Sequence, residues 1–468
     1  MNVQNVVPEV RNPDDDDSGF QGIPRNMTTI ASYMKKSGYT TRIVGKWDVG
    51  MATEDHHPRS RGYDSWLGYW HHSNDYWQHT EEKCDGTPVR DLWSYNALTY
   101  AQRVGKQTSD EPALAYANPS WCSQKNQTDV ACVFEEKLFV DEVKAAIEAA
   151  ASSDKPLFLV WSSHLVHYPL QVPSEYVERF SFIDDENRKL NHAMANYLDD
   201  AIGQVVALLK ERDMWNNTIL AFHSDNGGEI MGAGICGGNN FPLRGGKFSN
   251  FEGGIRVNAF ISGGALSPSQ RGKRSSGLFT IWDFLATYAQ GAAGMKDISD
   301  ASAVAAGLPD IDSLNQWDHI MGVSTSPRNE IFIGETSALT PNGDGNALAG
   351  GLISPPYKLL VGAADRLHTI SQNTLTGPSW PNSTSKLIPL LHLKTCGRSA
   401  AKGCLFNIYD DPSETTSLAS QMPKMFESML QRLDNLSKTV FSPVRGKVDS
   451  AACQAAQARN NTWRPFAV

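Results

Sequence analysis

Leu157-Phe158-Leu159-Val160-Trp161 is an uninterrupted apolar run that passes directly into Ser162-Ser163-His164-Leu165-Val166-His167-Tyr168-Pro169. Such a run, too short for a helix and bounded by polar residues, predicts a buried strand. Upstream, Glu135 to Ala151 sets Phe139, Val143 and Ile147 at helical spacing, so a helix leads into the strand. The same pairing occurs before and after it. Thr28 to Ser37, with Ile30 and Met34 on one face and Gly38 as a stop, precedes the apolar stretch Thr41 to Val44. A stripe of Leu190, Met194, Tyr197, Leu198, Ile202, Val205 and Leu209 precedes Thr218 to Phe222. Helix and strand alternating in this way predict an α/β fold built on a mostly parallel sheet with helices on both faces.

Outward from that core, residues 1–350 read as the large α/β domain and residues 351–468 as a small C-terminal α+β subdomain. The latter has strand-like pieces at Tyr357 to Val361 and Cys404 to Tyr409, and a helix from Pro423 to Lys438. Gly294 to Asn346, rich in Gly, Ala, Ser, Asp and Asn, predicts loop. Lys and Arg number 42 against 51 Asp and Glu, a formal charge of −9, which argues against nucleic acid and anionic membrane as partners. At 40% hydrophobic and 20% charged, the chain has the composition of a globular protein. No membrane span is expected, because Gly277 to Gly294 is interrupted by Asp283 and Gln290 and falls short of the roughly 18 apolar residues required.

The N-terminal residues carry neither a basic region nor an apolar one, and Asp14 to Asp17 read as a solvated charge run, so the sequence as written shows no secretion signal. Sequons at Asn26, Asn126, Asn216, Asn382, Asn435 and Asn460 nevertheless favour the secretory pathway. Seven cysteines show no zinc spacing; Cys122 with Cys132 and Cys396 with Cys404 lie close enough for local disulfides.

Ligands of open parallel sheets bind beyond the carboxyl ends of the strands, and three apolar runs here end in polar clusters. They are Gly45-Lys46-Trp47-Asp48-Val49-Gly50, the stretch from Ser162 to Pro169, and His223-Ser224-Asp225-Asn226-Gly227-Gly228. A fourth polar stretch runs from Pro242 through Arg244 to Lys247 and on to Phe251-Glu252-Gly253-Gly254-Ile255-Arg256. Asp-Asn beside glycines supplies hard oxygens for Ca²⁺ or Mg²⁺, and Lys with His suits a tetrahedral oxyanion whose leaving group needs a proton. Each element alone has a plainer reading: Asp-Asn-Gly-Gly as a turn, Lys46 as a surface lysine, His167 as a loop histidine. Their conjunction at three strand ends predicts metal-assisted sulfuryl or phosphoryl transfer.

At these residues the chain resembles the sulfatase family, arylsulfatase B type. Gly45 to Gly50 resembles that family's Gly-Lys-Trp-His-Leu-Gly, and His167-Tyr168-Pro169-Leu170-Gln171-Val172-Pro173 resembles its His-x-Pro-Leu-Gln-Val-Pro. Ser224 to Gly228, Asn239 to Lys247 and Leu405 to Pro412 resemble three further signatures in order. The resemblance implies an alkaline-phosphatase-like fold, with Ca²⁺ held by Asp225 and Asn226, Lys46 and Lys247 on sulfate oxygens, and His167 at the leaving oxygen. Sulfated saccharides or aryl sulfates are the implied substrates, and a secreted or lysosome-like location the implied site of action.

Two departures from the pattern stand out. Asp48 occupies the place of the family histidine, where a carboxylate can still serve as the base. The Cys/Ser-x-Pro-x-Arg motif that yields the formylglycine nucleophile does not occur in the sequence. The resemblance therefore leads us to expect an N-terminally truncated chain, lacking the nucleophile, a central strand and the usual partner of Cys453, with two unpaired sheet edges exposed. The alternatives are an inactive relative that binds sulfated glycans, and a phosphatase or phosphodiesterase of the same superfamily. The aromatic stretch Trp66 to Trp77 reads equally well as a sugar-stacking rim or as ordinary packing.

Overall fold

The computed structural model describes residues 8–14, 21–105, 110–127, 131–230, 236–336, 349–363, 374–382, 388–389, 395–441 and 443–467. Of the acidic run read as a solvated tail, residues 15–17 lie outside these.

Helix α1 (Ile30–Lys36) starts where the Thr29 side chain accepts from the Ser32 amide, and ends ahead of Gly38, whose φ is +90°. It leads into β1 (Thr40–Lys46). Strand β1 lies parallel to β2 (Ser65–Tyr69) on one side and to β7 (Leu157–Ser162) on the other. A hairpin, β3 (Thr80–Lys83) and β4 (Thr87–Arg90), follows β2. Beyond β2 the sheet continues antiparallel through β5 (Trp93–Tyr95) and β6 (Asp110–Pro112). The sheet is therefore mixed, parallel at its centre and antiparallel at one edge.

Strand period sorts the side chains between the two faces. Leu157, Leu159 and Trp161 pack with Val44, Leu67, Phe139, Val143, Ile147, Val205 and Leu208, which brings in helices α2 (Glu135–Ala151) and α3 (Glu186–Glu211). Phe158 and Val160 face the opposite way, toward Ile43, Trp66, Trp70 and Trp463. A fully buried side chain such as Phe139 contributes about 1.5–3 kcal/mol by leaving water.

The third strand of the alternating pattern departs from the expected single sheet. Strand β8 (Leu220–His223) pairs antiparallel with β9 (Ala259–Ser262) and makes no ladder with β7 among the described residues. Among the described residues, β7 is laddered to β1 alone. The two strands are bridged by the helical segment 283–292: Tyr288 meets Phe158 at a ring separation of 6.1 Å, and Phe284 meets His223 at 5.2 Å. Half-burial of both strands is consistent with this arrangement.

A second, antiparallel sheet runs β10 (Ile331–Thr336), β11 (Ala349–Ser354), β12 (Tyr357–Ala363) and β13 (Cys404–Asn407). It recruits β10 from the segment read as loop, because Ile331, Phe332 and Ile333 find partners in β11. Helix α4 (Pro423–Ser437), with proline in its first turn, lays Phe426, Met429 and Leu433 on Leu352, Leu359 and Leu405.

Three disulfides are present. Cys122–Cys132 and Cys396–Cys404 close the expected short loops. Cys453 pairs with Cys84, which corrects the expectation of a partner outside the sequence. The hairpin tip carries Cys84 onto helix α5 (Ala451–Gln457). Among the described residues, no helix is long and apolar enough to cross a membrane.

Candidate functional site

Lys46 is the last residue of β1, placed at the carboxyl end of the sheet by its register opposite Tyr69. The approach of the strands there depends on glycine. A Cβ on Gly45 would lie 2.0 Å from the Ser162 carbonyl oxygen, and one on Gly68 would lie 1.8 Å from that of Gly45. Past the strand end, the amides of Trp47 and Asp48 donate to the carbonyls of Tyr69 and Trp70. These bonds bring the residues after β1 beside those after β2, and Asp48 meets His72: Nδ1 lies 2.7 Å from the carboxylate. Lys46 Nζ stands 3.4 Å from Asp48 Oδ2, and both side chains are mostly buried.

The segment after β7 supplies two imidazoles. His167 Nδ1–H donates to the Tyr168 carbonyl at 2.6 Å, which leaves Nε2 to accept from Lys247 Nζ at 2.8 Å. Burial, then the charges of Lys247 and Lys46, push the His167 imidazole down to about 4, so it is neutral near neutral pH. His164 is fully buried, stacked on Tyr76, and pushed well below its ordinary value by burial and then by His167, Lys46 and Lys247. The two lysines thus act on the same two imidazoles and belong to one pocket. Lys247 Nζ is also 3.5 Å from Glu229.

Asp225 and Asn226 sit in the turn after β8. The Asn226 amide donates to Asp225 Oδ1 at 2.8 Å, and Ser224 Oγ donates to the Asn226 carbonyl at 2.7 Å. Gly227 is obligatory, since a Cβ would come within 1.7 Å of the Gly253 carbonyl. Asp225 lies near enough for its charge to raise the His167 imidazole against the two lysines. Its carboxylate is solvent-exposed, and with the Asn226 amide oxygen it offers the hard donor set that calcium takes. These two residues supply part of the six to eight oxygens of a typical calcium shell.

The structure thus joins Lys46 to Asp48 and His167 to Lys247 by direct contact, and joins the two pairs and Asp225 through charge. Arg244, in contrast, is fully buried: it donates to the Glu414 carbonyl and lies over the Phe251 ring, a packing role. The stretch Trp66 to Trp77 packs in the core, with Trp66, Tyr69, Trp70 and Tyr76 fully buried, so it forms no rim. The exposed aromatics near the pocket are Tyr168 and Phe241, neighbours of His167 and Pro242. Sequence reading missed His72 and Glu229, and gave His164 no role although it lies in the polar stretch after Trp161. His72 stands 24 residues from Asp48, and only the pairing of the β1 and β2 extensions brings it in.

The sulfatase family model matches residues 2–295. Mouse arylsulfatase J is 31% identical over 431 residues, covering 90% of this chain and 64% of that protein. Mouse N-acetylgalactosamine-6-sulfatase is 28% identical over 283 residues, covering 60% of this chain and 47% of that one. The chain therefore spans about half to two thirds of the length of these relatives. Among solved structures, Ps i-CgsB in complex with a neocarrahexaose superposes with a TM-score of 0.64 at 19% identity, over 97% of this chain and 82% of that one, a likeness of fold.

Proposed function

The chain belongs to the sulfatase family, and we propose that its pocket holds the sulfate group of a sulfated saccharide for sulfuric ester hydrolysis, with a simple aryl sulfate as a probe. One observation carries this reading: two ammonium groups and two neutral imidazoles, tied to each other electrically, stand at the carboxyl end of an alkaline-phosphatase-like α/β sheet.

Lys46 and Lys247 would neutralise the sulfate oxygens as charge develops on them. His167 would stand at the leaving oxygen. As it rests, its Nε2 accepts from Lys247, so an entering sulfate ester anion has to draw that ammonium away and thereby frees Nε2 for a proton. Asp225 and Asn226 would hold Ca²⁺, which when bound adds positive charge against the sulfate. Asp48, aligned by His72, would serve as the base that the family provides through histidine. Tyr168 and Phe241 offer faces for a sugar ring. Sequons at Asn26, Asn126, Asn216, Asn435 and Asn460 are solvent-exposed, which supports passage through the secretory pathway.

The sequence contains no Cys/Ser-x-Pro-x-Arg, so these residues supply binding, charge and proton transfer but no formylglycine nucleophile. A second reading is a protein that binds sulfated glycan without turnover, for which these residues suffice. Calorimetric titration with sulfated oligosaccharide, run beside an aryl sulfate assay, tests both. Binding with hydrolysis supports the first reading and binding alone the second. No difference in affinity between the sulfated and the desulfated saccharide overturns both.

A further inference from the structure

Away from that pocket, four segments distant in sequence converge on one imidazole. His71, just past the end of β2, is fully buried and lies with its ring 4.6 Å from that of Trp463. The backbone amides of Trp70 and His71 donate to Asp91 Oδ1 and Oδ2 at 2.8 and 3.0 Å, which fixes this fully buried carboxylate in place. His71 Nδ1 lies 3.1 Å from Asp91 Oδ2, a contact that turns Nε2 away from Asp91. Nε2 is aimed between Glu9 Oε2 at 3.3 Å and Glu81 Oε2 at 3.7 Å, and it forms no hydrogen bond.

Two carboxylates and an imidazole nitrogen in one buried space require positive charge among them, supplied either by a second ring proton or by a metal ion. The spacing suits one. Bonds of about 2.0–2.1 Å in tetrahedral geometry set neighbouring ligand atoms about 3.3–3.4 Å apart. A carboxylate on the far nitrogen is the customary way of orienting a metal-bound histidine. One ligand atom each from His71, Glu81 and Asp91 falls within 4.8 Å of the others.

We propose that His71 Nε2, Glu9 and Glu81 bind a divalent transition-metal ion of the zinc class, with Asp91 orienting the imidazole. An imidazole nitrogen selects against calcium and magnesium, which separates this site from the all-oxygen pair Asp225 and Asn226. Glu81, at 16% exposure, is the side from which an ion enters. The ion would fasten together the residues ahead of the short strand Val10–Arg11, the end of β2, the β3–β4 hairpin and the segment carrying Trp463, a structural role.

The rival occupant of the same space is a second proton. Burial lowers the imidazole, but Asp91, Glu9 and Glu81 outweigh it and raise the group to about 10 when no metal is present.

The test uses the full chain, saturated with calcium, stripped of other metals, and dialysed against Zn²⁺ alone before elemental analysis and thermal unfolding. We expect a single equivalent of zinc retained by the wild type and by Asp225→Ala, with a raised melting temperature. Glu81→Gln and His71→Gln should weaken retention by about tenfold or more. Should His71→Gln fail to fold, Glu81→Gln decides, together with a tetrahedral Co²⁺ visible spectrum present in wild type and lost in that variant. Absence of retained zinc in the wild type, or unchanged retention in Glu81→Gln, overturns the proposal.

Discussion

His72 Nδ1 lies 2.7 Å from the Asp48 carboxylate, at the very position where the resemblance calls for a histidine. The imidazole is displaced rather than missing: the side chain after β2 takes the ring, and the one after β1 becomes its anionic partner. The pairing offsets a negative charge that would otherwise oppose an oxyanion beside Lys46. Removing one partner of a charged hydrogen bond costs about 1.5–3 kcal/mol. His72→Ala should therefore weaken sulfate binding by about tenfold or more, whereas Asp48→Asn should tighten it. Calorimetry on both variants checks this, and equal affinities would remove the pair from the pocket.

Lys46→Ala and Lys247→Ala should each lower sulfate-ester binding, and any turnover, by orders of magnitude while leaving the denaturation midpoint nearly unchanged, because both ammonium groups are held by the pocket rather than by the core. Wild-type binding in either variant would sink the site assignment.

His167 sits at about 4 against an ordinary 6.5. Between those values the unfolded chain binds the proton and the folded chain does not, so stability falls as pH drops through that window. A bound sulfate ester anion offsets the charge of Lys46 and Lys247 and lifts the imidazole. Sulfate binding near pH 5.5 should thus take up a proton and strengthen as pH falls. Titrations in two buffers of different ionisation enthalpy measure the uptake, and none would place His167 elsewhere.

Lys358 Nζ, fully buried, lies 2.9 Å from both Glu252 and Glu414, and so joins the second sheet to the Gly-rich turn beside the pocket. Lys358→Met leaves two buried carboxylates facing each other and should cost about 3–5 kcal/mol in a denaturant titration. A loss under about 1 kcal/mol would show that the carboxylates are neutralised by other means.

Much of this was readable in the sequence because period and turn chemistry are local. The stripe in α3, the helix ahead of β7 and the glycines after β8 carry their own signals. The Asp-Asn-Gly-Gly turn was legible both as a turn and as a donor set, and the structure shows why: Gly227 is forced by the approach of Gly253, independently of any ligand. The remainder depends on which distant segments share a strand end. His72 reaches Asp48 through the Tyr69 and Trp70 carbonyls, Cys84 reaches Cys453 across 369 residues, and Glu252 reaches Lys358 across a sheet boundary. None of these pairings leaves a periodic trace. The buried aromatic stretch shows the same limit from the other side, since composition alone does not say which way a tryptophan faces.

Trp463 has no exposed surface, accepts a hydrogen bond from the Trp93 indole through its carbonyl, and closes the cluster around Trp66 and Trp70. The indole and the carbonyl that it bonds lie 370 residues apart, so this cluster stays open on one side until both segments have met, and until then it leaves a greasy surface for chaperones to recognise. Damage around Trp463 would be felt first at β2 and its extension, where Asp48 and His72 meet.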